Sequence, residues 1–280
     1  MIFLEILKAI VIGAVEGITE WLPVSSTGHM ILIDELLRLD VSEAFLEMFL
    51  VVIQLGAICA VPAIFWDKLW PFSKKKTAEE NRRTLSLWGK VIVGAVPAAI
   101  LGLLLDDPLD MYLYNYVVVA IALIVYGVAF IFVEKIKAEK SFRINSLDEM
   151  SYTDALKIGA FQCLSLIPGT SRSGSTILGG MISGVSRSAS AEFSFFMAIP
   201  IMLGASGLKV LKFILEGVTA GYDEILLLLV GILVSFLVSF FVIRFLMDFV
   251  KRHDFKIFGY YRIALGLIVI VYFVVKSLLA

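Results

Sequence analysis

The sequence predicts an all-α integral membrane protein with six transmembrane helices plus two re-entrant helical hairpins in an inverted-topology repeat. Apolar residues make up 60% of the 280 residues and charged residues only 18%, whereas soluble domains average about 45–50% and about 25%. A bilayer is crossed by about 20 helical residues. Six apolar segments are long enough to do so: 44–66, 85–105, 113–133, 192–215, 225–247 and 257–277.

Two further apolar regions, 2–38 and 152–185, are each interrupted near the middle by polar residues. The first interruption reads LPVSSTGH and the second reads IPGTSRSGST. Each half is too short to span, and an apolar stretch of about 10–14 residues is typical of a re-entrant or interfacial segment. We therefore expect two helix–loop–helix hairpins that enter the membrane and return.

The charges of the connections predict the orientation, because Lys and Arg concentrate in cytoplasmic loops. Segments 67–90, 134–143 and 248–256 are basic, whereas 106–111 and 216–224 contain acids and no Lys or Arg. We expect the basic connections in the cytoplasm and the acidic ones, with both termini, outside. The first hairpin would then enter from outside and the second from the cytoplasm. The charged residues are Lys68, Lys74, Lys75, Lys76, Arg82, Arg83, Lys90, Lys135, Lys137, Lys140, Arg143, Lys251, Arg252 and Lys256, against Asp106, Asp107, Asp110, Glu216, Asp223 and Glu224.

The two interrupted regions resemble each other at an offset of 146 residues, which aligns Gly13 with Gly159, Glu16 with Gln162, and 25–28 with 171–174. Each half is a hairpin followed by three spans, and the halves have opposite orientation. This pattern predicts one domain over 1–280 with inverted repeats of about 1–134 and 150–280. The two loops should meet around a cavity, because non-helical backbone at membrane depth must be buried in protein or line water.

Glu16 and Glu20 lie one helical turn apart beside the first loop, so they share a helix face. Two such carboxylates repel unless they share a proton, a metal ion or a cationic partner. A charge at the bilayer centre costs at least about 2.5–3.5 kcal/mol on insertion scales, which marks both as functional candidates. The alternative is that both are solvated residues at the outer surface.

The first loop also supplies Ser25, Ser26, Thr27 and His29 ahead of a short helix. Ordinary N-capping explains one of these hydroxyls, but a helix N-terminus also binds anions. His29 is either an acid, base or phosphate contact or simply a satisfied polar residue.

The second loop supplies one cation, Arg172, among hydroxyls and glycines that suit phosphate oxygens. The alternative is that Arg172 only neutralises Glu16 or Glu20. The spare acid and the hydroxyls favour an added anion with a bridging divalent cation, Mg²⁺ or Ca²⁺. Gln54, inside a predicted span, is a further candidate contact to the cavity, with helix–helix hydrogen bonding as its alternative.

Composition and residue pattern argue against other classes of protein. The net charge of −1 excludes nucleic-acid binding through bulk electrostatics. The two cysteines, Cys59 and Cys163, form no disulfide framework or zinc motif. The first residues lack a basic segment before their apolar run, so we expect them to belong to the mature protein.

The runs EGITEWLPVSSTGH at 16–29 and PGTSRSGST at 168–176 closely resemble the two signature regions of the undecaprenyl-diphosphatase family, also known as bacitracin-resistance proteins. The spans between them fit, so the resemblance covers essentially the whole chain. It implies a bacterial inner-membrane enzyme that hydrolyses undecaprenyl pyrophosphate to undecaprenyl phosphate and inorganic phosphate, recycling the lipid carrier for cell-wall synthesis. The site would be open to the outer side. Proteins of this type can dimerise, so a homodimer is a further expectation.

With that substrate, we expect Ser26 to attack the terminal phosphorus with Glu20 as general base. Glu16 and Glu20 would hold the divalent ion. His29 is the competing nucleophile or the acid for the leaving group, and the sequence does not decide between it and Ser26. The phosphoryl oxygens and the rest of the substrate would be bound by Arg172, Ser171, Ser173, Thr176, Ser25, Thr27 and Gln54.

A transporter is the rival interpretation. Inverted repeats with discontinuous helices are equally typical of secondary transporters, so the chain could move an anion or flip the lipid carrier. The acid pair and the serine cluster favour chemistry, because a transporter needs no nucleophile. A non-catalytic scaffold leaves the buried charges unexplained.

Overall fold

The computed structural model describes residues 2–137 and 141–279, except for the side chains of 106–108 and 110. That part of the chain is helical and has no β-strand; an isolated bridge joins Ile144 and Val185. A 3₁₀ helix at Cys163–Leu166 follows the sixth α-helix. The α-helices are α1 (Ile2–Thr19), α2 (Ser26–Leu37), α3 (Glu43–Leu69), α4 (Ala78–Leu113), α5 (Tyr116–Lys137), α6 (Tyr152–Gln162), α7 (Arg172–Ile182), α8 (Arg187–Leu215), α9 (Tyr222–Phe249) and α10 (Lys256–Leu279).

Six of these helices are long and apolar enough to cross a membrane, judged by length and composition: α3, α4 over Ala78–Leu105, α5, α8, α9 and α10. They coincide with the six predicted segments, so that prediction is confirmed. Many of their large apolar side chains are exposed, as in Leu233 of α9 and Phe241 about two turns further along. A helix that is apolar on most faces suits lipid rather than water.

Helix α4 begins earlier than the sequence analysis expected. The amide of Glu80 donates to Thr77 Oγ1 at 3.2 Å, and the amide of Thr77 donates to Glu80 Oε2 at 2.7 Å. This reciprocal capping starts the helix at Ala78. The assignment of 67–90 to a connection is therefore wrong for its second half, and three basic residues lie on the helix: Arg82, Arg83 and Lys90.

Helix α4 also ends later than the sequence predicts. The residue that caps the next helix is Asn115. Its Oδ1 accepts from the amide of Val118 at 3.0 Å and so starts α5. The backbone of the predicted acidic connection at 106–111 is therefore helical, as a continuation of α4 through Leu113, and its position outside the membrane stays a prediction. The side chains of Asp106, Asp107 and Asp110, and all of Lys140, lie outside the described residues.

Both interrupted regions are helix–loop–helix units. We call residues 20–25 the first loop and residues 167–171 the second loop. Each ends in a serine with positive φ, 74° at Ser25 and 71° at Ser171. Each of these hydroxyls accepts from the amide three residues later, Gly28 at 3.3 Å and Gly174 at 3.1 Å. The two loops thus share one local geometry, in which a strained serine caps the following helix.

Glycines allow the long helices to approach the hairpin helices closely. Where α1 meets α9, a Cβ on Gly13 would lie 2.7 Å from the carbonyl oxygen of Gly231. Where α6 meets α4, a Cβ on Gly159 would lie 2.2 Å from the carbonyl oxygen of Gly94. A side chain larger than hydrogen would force these pairs apart, so the glycines fix the depth of α1 and α6 in the bundle.

The other half of each hairpin is anchored by α5. This helix crosses α10 at Gly127 and Gly259, and a Cβ on either glycine would lie 2.7 Å from the carbonyl oxygen of the other. Both α2 and α7 contact α5. The two loops are therefore held together inside the bundle.

Candidate active site

Glu20 is the carboxylate at which the two loops meet. It follows α1 and is 8% exposed. Its Oε2 accepts from Ser26 Oγ at 3.2 Å, and its Oε1 accepts from Arg172 Nε at 3.2 Å and Nη2 at 3.1 Å. One carboxylate therefore holds an alcohol from the first hairpin and a guanidinium from the second. The sequence analysis singled out all three residues, and the structure brings them together.

The backbone of the first loop aims Ser26 at Glu20. Ser26 is the first residue of α2, and Ser25 before it has φ 74° and ψ 104°. A non-glycine residue in such a region costs on the order of 1–3 kcal/mol and is typical of functional sites. Ser25 itself is buried and caps α2, so the capping alternative applies to that hydroxyl and leaves Ser26 Oγ available.

Arg172 is fixed on three sides. Besides its pair with Glu20, its Nη1 donates to the carbonyl oxygen of Ser194 at 2.8 Å, with Ser194 Oγ at 3.5 Å. Its Cζ lies 5.6 Å from the ring centroid of Trp21, which meets Phe195 edge to face at 5.2 Å. Within the described part of the chain an Nη2 hydrogen keeps no partner. It is free to bind an anion.

Ser173 ties the two loops together through the backbone. Its Oγ lies 3.0 Å from the carbonyl oxygen of Glu20 and 3.3 Å from that of Leu22, so it donates across from α7 to the first loop. Ser171 Oγ lies 3.1 Å from Ser173 Oγ and caps α7. Both hydroxyls therefore have protein partners, and their substrate contacts stay predictions.

Thr176 belongs to the support of Arg172. Its Oγ1 lies 2.6 Å from Ser194 Oγ and 2.9 Å from the carbonyl oxygen of Arg172, and the side chain is fully buried. A buried hydroxyl with two such partners is placed to orient its neighbours. A direct contact between Thr176 and substrate stays a prediction.

Glu16 is buried one turn before Glu20, with 1% of its surface exposed. The surface alternative for the two acids is therefore wrong. The backbone amide of Glu20 donates to the carbonyl oxygen of Glu16 at 3.0 Å, which continues the helical turn. Among the described residues, Glu16 Oε1 has no hydrogen-bond partner. Such an atom is costly unless a proton, an ion or a ligand satisfies it.

His29 lies beside this cluster without contacting it. Its Nδ1 is 2.7 Å from the carbonyl oxygen of Ser25, and its Nε2 is 2.7 Å from Tyr261 Oη. Because a carbonyl only accepts, Nδ1 carries a proton, and when the ring is neutral the Tyr261 hydroxyl donates to Nε2. The two rings also stack at 5.7 Å. Neither nitrogen is hydrogen-bonded to Ser26 or Glu20.

Two predicted contacts are not joined to this cluster. Thr27 lies in the first turn of α2 and Gln54 is half-buried in α3. Neither makes a side-chain hydrogen bond within the described residues, so the structure supports no particular partner for them. Their role in substrate binding stays a prediction.

The sequence analysis missed several residues around the site. Arg262 of α10 is fully buried and contacts both loops. Its signal was present, because a charged residue inside the predicted span 257–277 is unusual. Ser194, Trp21 and Tyr261 carry no comparable pattern, since their neighbours are distant in sequence or depend on side-chain packing.

Comparisons with known proteins identify the family of this chain. The family described as "Bacitracin resistance protein BacA" matches residues 9–268. A protein of Enterococcus faecalis is 53% identical over 97% of this chain and 99% of its own length. One of Acetivibrio thermocellus is 55% identical over 96% and 98%, and one of Desulfitobacterium hafniense is 51% identical over the full length of both. Each of the three is named undecaprenyl-diphosphatase.

The family match and the relatives extend over nearly the whole chain and so include both loops and the residues that meet at Glu20. The chain therefore belongs to the BacA family of bacitracin resistance proteins.

Proposed function

We propose that this chain is an undecaprenyl-diphosphate phosphatase that releases inorganic phosphate and leaves undecaprenyl phosphate in the membrane. Its family and the name shared by its relatives support this function. The observation that carries the chemistry is the Glu20 carboxylate, which links Ser26 Oγ at 3.2 Å to the guanidinium of Arg172 at 3.1 Å. A nucleophile, a base and an anion-binding cation therefore share one site.

The first step transfers the terminal phosphoryl group to Ser26. Ser26 Oγ forms a bond to the terminal phosphorus while its proton passes to Glu20 Oε2, and the bond from phosphorus to the bridging oxygen breaks. The bridging oxygen departs with undecaprenyl phosphate. Glu20 then releases its proton to solvent. In the second step water attacks the phosphoserine while Glu20 takes a proton from the water, the bond from phosphorus to Ser26 Oγ breaks, and Ser26 Oγ regains a proton from Glu20 as inorganic phosphate leaves.

Arg172 stabilises the charge on the transferring phosphoryl group. Its unpartnered Nη2 hydrogen would donate to the oxygens of a phosphoryl group that approaches Ser26. The support from Ser194 and Trp21 keeps the guanidinium from moving away when charge develops. This contribution is positional and electrostatic, as phosphoryl transfer requires.

A divalent cation, Mg²⁺ or Ca²⁺, is part of the proposal. The test of fit is Glu16, whose Oε1 is buried without a partner among the described residues. In that part of the chain no three His, Cys, Asp or Glu side chains lie close enough together to hold a metal ion by themselves, so the substrate's phosphates would complete the ligands, as is usual for Mg²⁺. Glu16 and Glu20 would hold the ion. When bound, it would neutralise charge on the diphosphate.

In this proposal His29 supports the site and is not the nucleophile. Its two nitrogens are engaged by Ser25 and Tyr261, whereas Ser26 already contacts a base. An acid role toward the leaving phosphate would require Tyr261 to release Nε2. We therefore assign the nucleophile to Ser26.

The two halves are proposed to form an inverted repeat in one domain. The strained serines are separated by the same 146 residues as the sequence similarity, and both cap a helix through an amide three residues on. The helix packing follows the same correspondence between the halves. Helix α1 contacts α9, and their equivalents in the other half, α6 and α4, also contact each other. The equivalent helices α3 and α8 contact each other. Close glycine contacts occur at Gly13 and at Gly159, again 146 residues apart.

Both hairpins are proposed to be re-entrant, with the substrate entering from the outer side of a bacterial inner membrane. The run Lys74–Lys76, between α3 and α4, supports a cytoplasmic position for that connection. Introduced cysteines there should react with an impermeant reagent only in inverted vesicles. A homodimer rests on the resemblance alone, and chemical cross-linking in membranes tests it.

Phosphate release by the purified protein in detergent tests the proposed function. Detergent removes any transmembrane gradient, so turnover distinguishes an enzyme from the lipid-carrier or anion transporter. We expect Ser26→Ala to abolish release, and Ser42→Ala to leave it unchanged. Ser42 is a suitable control because it is exposed and its hydroxyl caps α3, outside both loops. Turnover by Ser26→Ala at the wild-type rate would contradict the assignment of the nucleophile.

A further inference from the structure

Arg262 of α10 is a fully buried cation that binds the backbone of both loops. Its Nη1 donates to the carbonyl oxygen of Pro23 at 3.1 Å in the first loop. Its Nη2 donates to the carbonyl oxygens of Gly169 at 2.7 Å and Thr170 at 3.0 Å in the second loop. One planar guanidinium therefore joins two segments that are distant in the chain.

The carbonyls that Arg262 binds occupy equivalent places in the two hairpins. Pro23 and Gly169 are 146 residues apart, and each lies two residues before the strained serine of its loop. The two terminal nitrogens of a guanidinium have a fixed separation. The side chain thus sets the distance between equivalent points of the two loops.

A contribution to stability does not by itself explain why a buried arginine occupies this position. Arg262 forms no ion pair among the described residues, and its Nε has no hydrogen-bond partner there. Its Cζ lies 5.4 Å from the ring centroid of Tyr126. Burying a charge without a counterion is expensive, and an apolar side chain of similar volume often serves stability as well or better.

The site is built around the guanidinium. A Cβ on Gly174 would lie only 3.2 Å from Arg262 Nη1, so the absence of a side chain at Gly174 leaves room for it. From Pro23 the first loop continues directly to Ser26, and from Thr170 the second continues directly to Arg172. A change in loop spacing would therefore move the nucleophile relative to its anion-binding partner.

We propose that Arg262 is a positioning residue that holds the two loops at the spacing in which Ser26, Glu20 and Arg172 meet. It does not touch the substrate and acts through the backbone of both loops. Its kinetic consequence rests on the proposed phosphatase activity, whereas its effect on the loops does not. The two can be measured separately.

The experiment compares Arg262→Lys and Arg262→Met with Arg187→Met in detergent-solubilised protein. Lysine keeps the charge, but its three N–H donors share one nitrogen, so it cannot hold the carbonyls of the two loops at the fixed spacing that a guanidinium sets. Arg187 is the matched control, because it pairs with the buried Glu134 and contacts neither loop. The readouts are kcat and KM for undecaprenyl diphosphate, corrected for folded protein, and hydrogen exchange of peptides spanning 20–27 and 164–174.

Both Arg262 variants should lower kcat by about 10- to 100-fold, because small misplacements of reacting groups are costly, and should change KM little. Amide exchange should rise in both loop peptides. Arg187→Met should lower thermal stability and leave kcat and loop exchange unchanged. Lysine tests the idea even where methionine prevents folding, since it preserves the buried charge.

The proposal is overturned if Arg262→Lys keeps the wild-type kcat, or if exchange rises in one loop or in neither. It is also overturned if the whole loss of activity follows the loss of folded protein, as in Arg187→Met. Absence of hydrolysis by the wild-type protein would contradict the proposed function instead. Loop exchange would then still decide whether Arg262 joins the loops.

Discussion

Replacing Glu20 with Gln separates the two tasks that the structure gives to this carboxylate. The amide keeps the shape and one acceptor oxygen, but it removes the charge opposite Arg172 and the base beside Ser26. Arg172 and Glu20 have side chains only 11% and 9% exposed, so solvent compensates little for the loss. We therefore expect both a fall in stability and a larger fall in activity.

The magnitudes follow from these contacts. Hydrogen bonds to charged groups are worth about 1.5–3 kcal/mol, so the free energy of unfolding should fall by about that amount. Losing a positioned general base lowers kcat by on the order of 10²–10⁴-fold. That corresponds to about 2.7–5.4 kcal/mol of activation free energy. The activation barrier should therefore change by at least as much as the stability.

The assay is phosphate release at saturating undecaprenyl diphosphate, with folded protein measured by size exclusion and thermal melting. Glu47→Gln is the matched control: Glu47 pairs with Lys209 at 2.8 Å on an exposed surface. Loss of this ion pair should change the free energy of unfolding by only about 0–1 kcal/mol and leave kcat unchanged. A Glu20→Gln enzyme with kcat close to wild type would refute the general-base role, whatever its stability.

Three further predictions concern packing and support. Ser194→Ala removes the hydroxyl beside Arg172 and should lower kcat about 2- to 10-fold, as expected for one hydrogen bond. The control is Ser206→Ala, which changes a buried serine of the same helix that donates to a carbonyl elsewhere and should leave kcat unchanged. Equal losses of kcat in the two variants would show that the effect is general. Gly159→Ala places a Cβ 2.2 Å from a carbonyl oxygen and should lower the free energy of unfolding by about 1–3 kcal/mol or more, measured by thermal or denaturant unfolding. In contrast, Gly207→Ala in open helix surface should be neutral or stabilising by up to about 1 kcal/mol, and a comparable loss there would contradict the packing argument. Glu134→Gln breaks a buried pair and should cost up to about 3–5 kcal/mol of stability with kcat per folded molecule unchanged; a change in kcat would place this residue in the site.

The membrane-length helices were predictable because their signal is local. Each of the six is a continuous apolar run that no soluble fold would expose, and composition alone marks it. The ends of these helices were harder to predict from the sequence. Helix α4 starts at a capping box around Thr77 and continues to Leu113, whereas charge alone suggested connections at both ends. Charged side chains at a helix end are compatible with helix and with loop, so capping decides the boundary.

The candidate site was predictable in its residue types and less so in its contacts. Ser26, Glu20 and Arg172 lie in two unusual polar interruptions, and that contrast with the apolar background identified them. Which partner each one takes depends on how the hairpins pack. The pairing of His29 with Tyr261, 232 residues away, is an example that no spacing rule indicates.

A trapped phosphoenzyme tests the central claim most directly. Substrate labelled in the terminal phosphate is mixed with excess enzyme. Parallel samples are quenched within the first turnover in acid and in a neutral denaturant, which preserves phosphohistidine, and the digested protein is examined by mass spectrometry. We predict an acid-stable phosphoserine at Ser26 that is absent from Ser26→Ala. Label on His29, or continued hydrolysis with no label on the protein, would contradict the proposed mechanism.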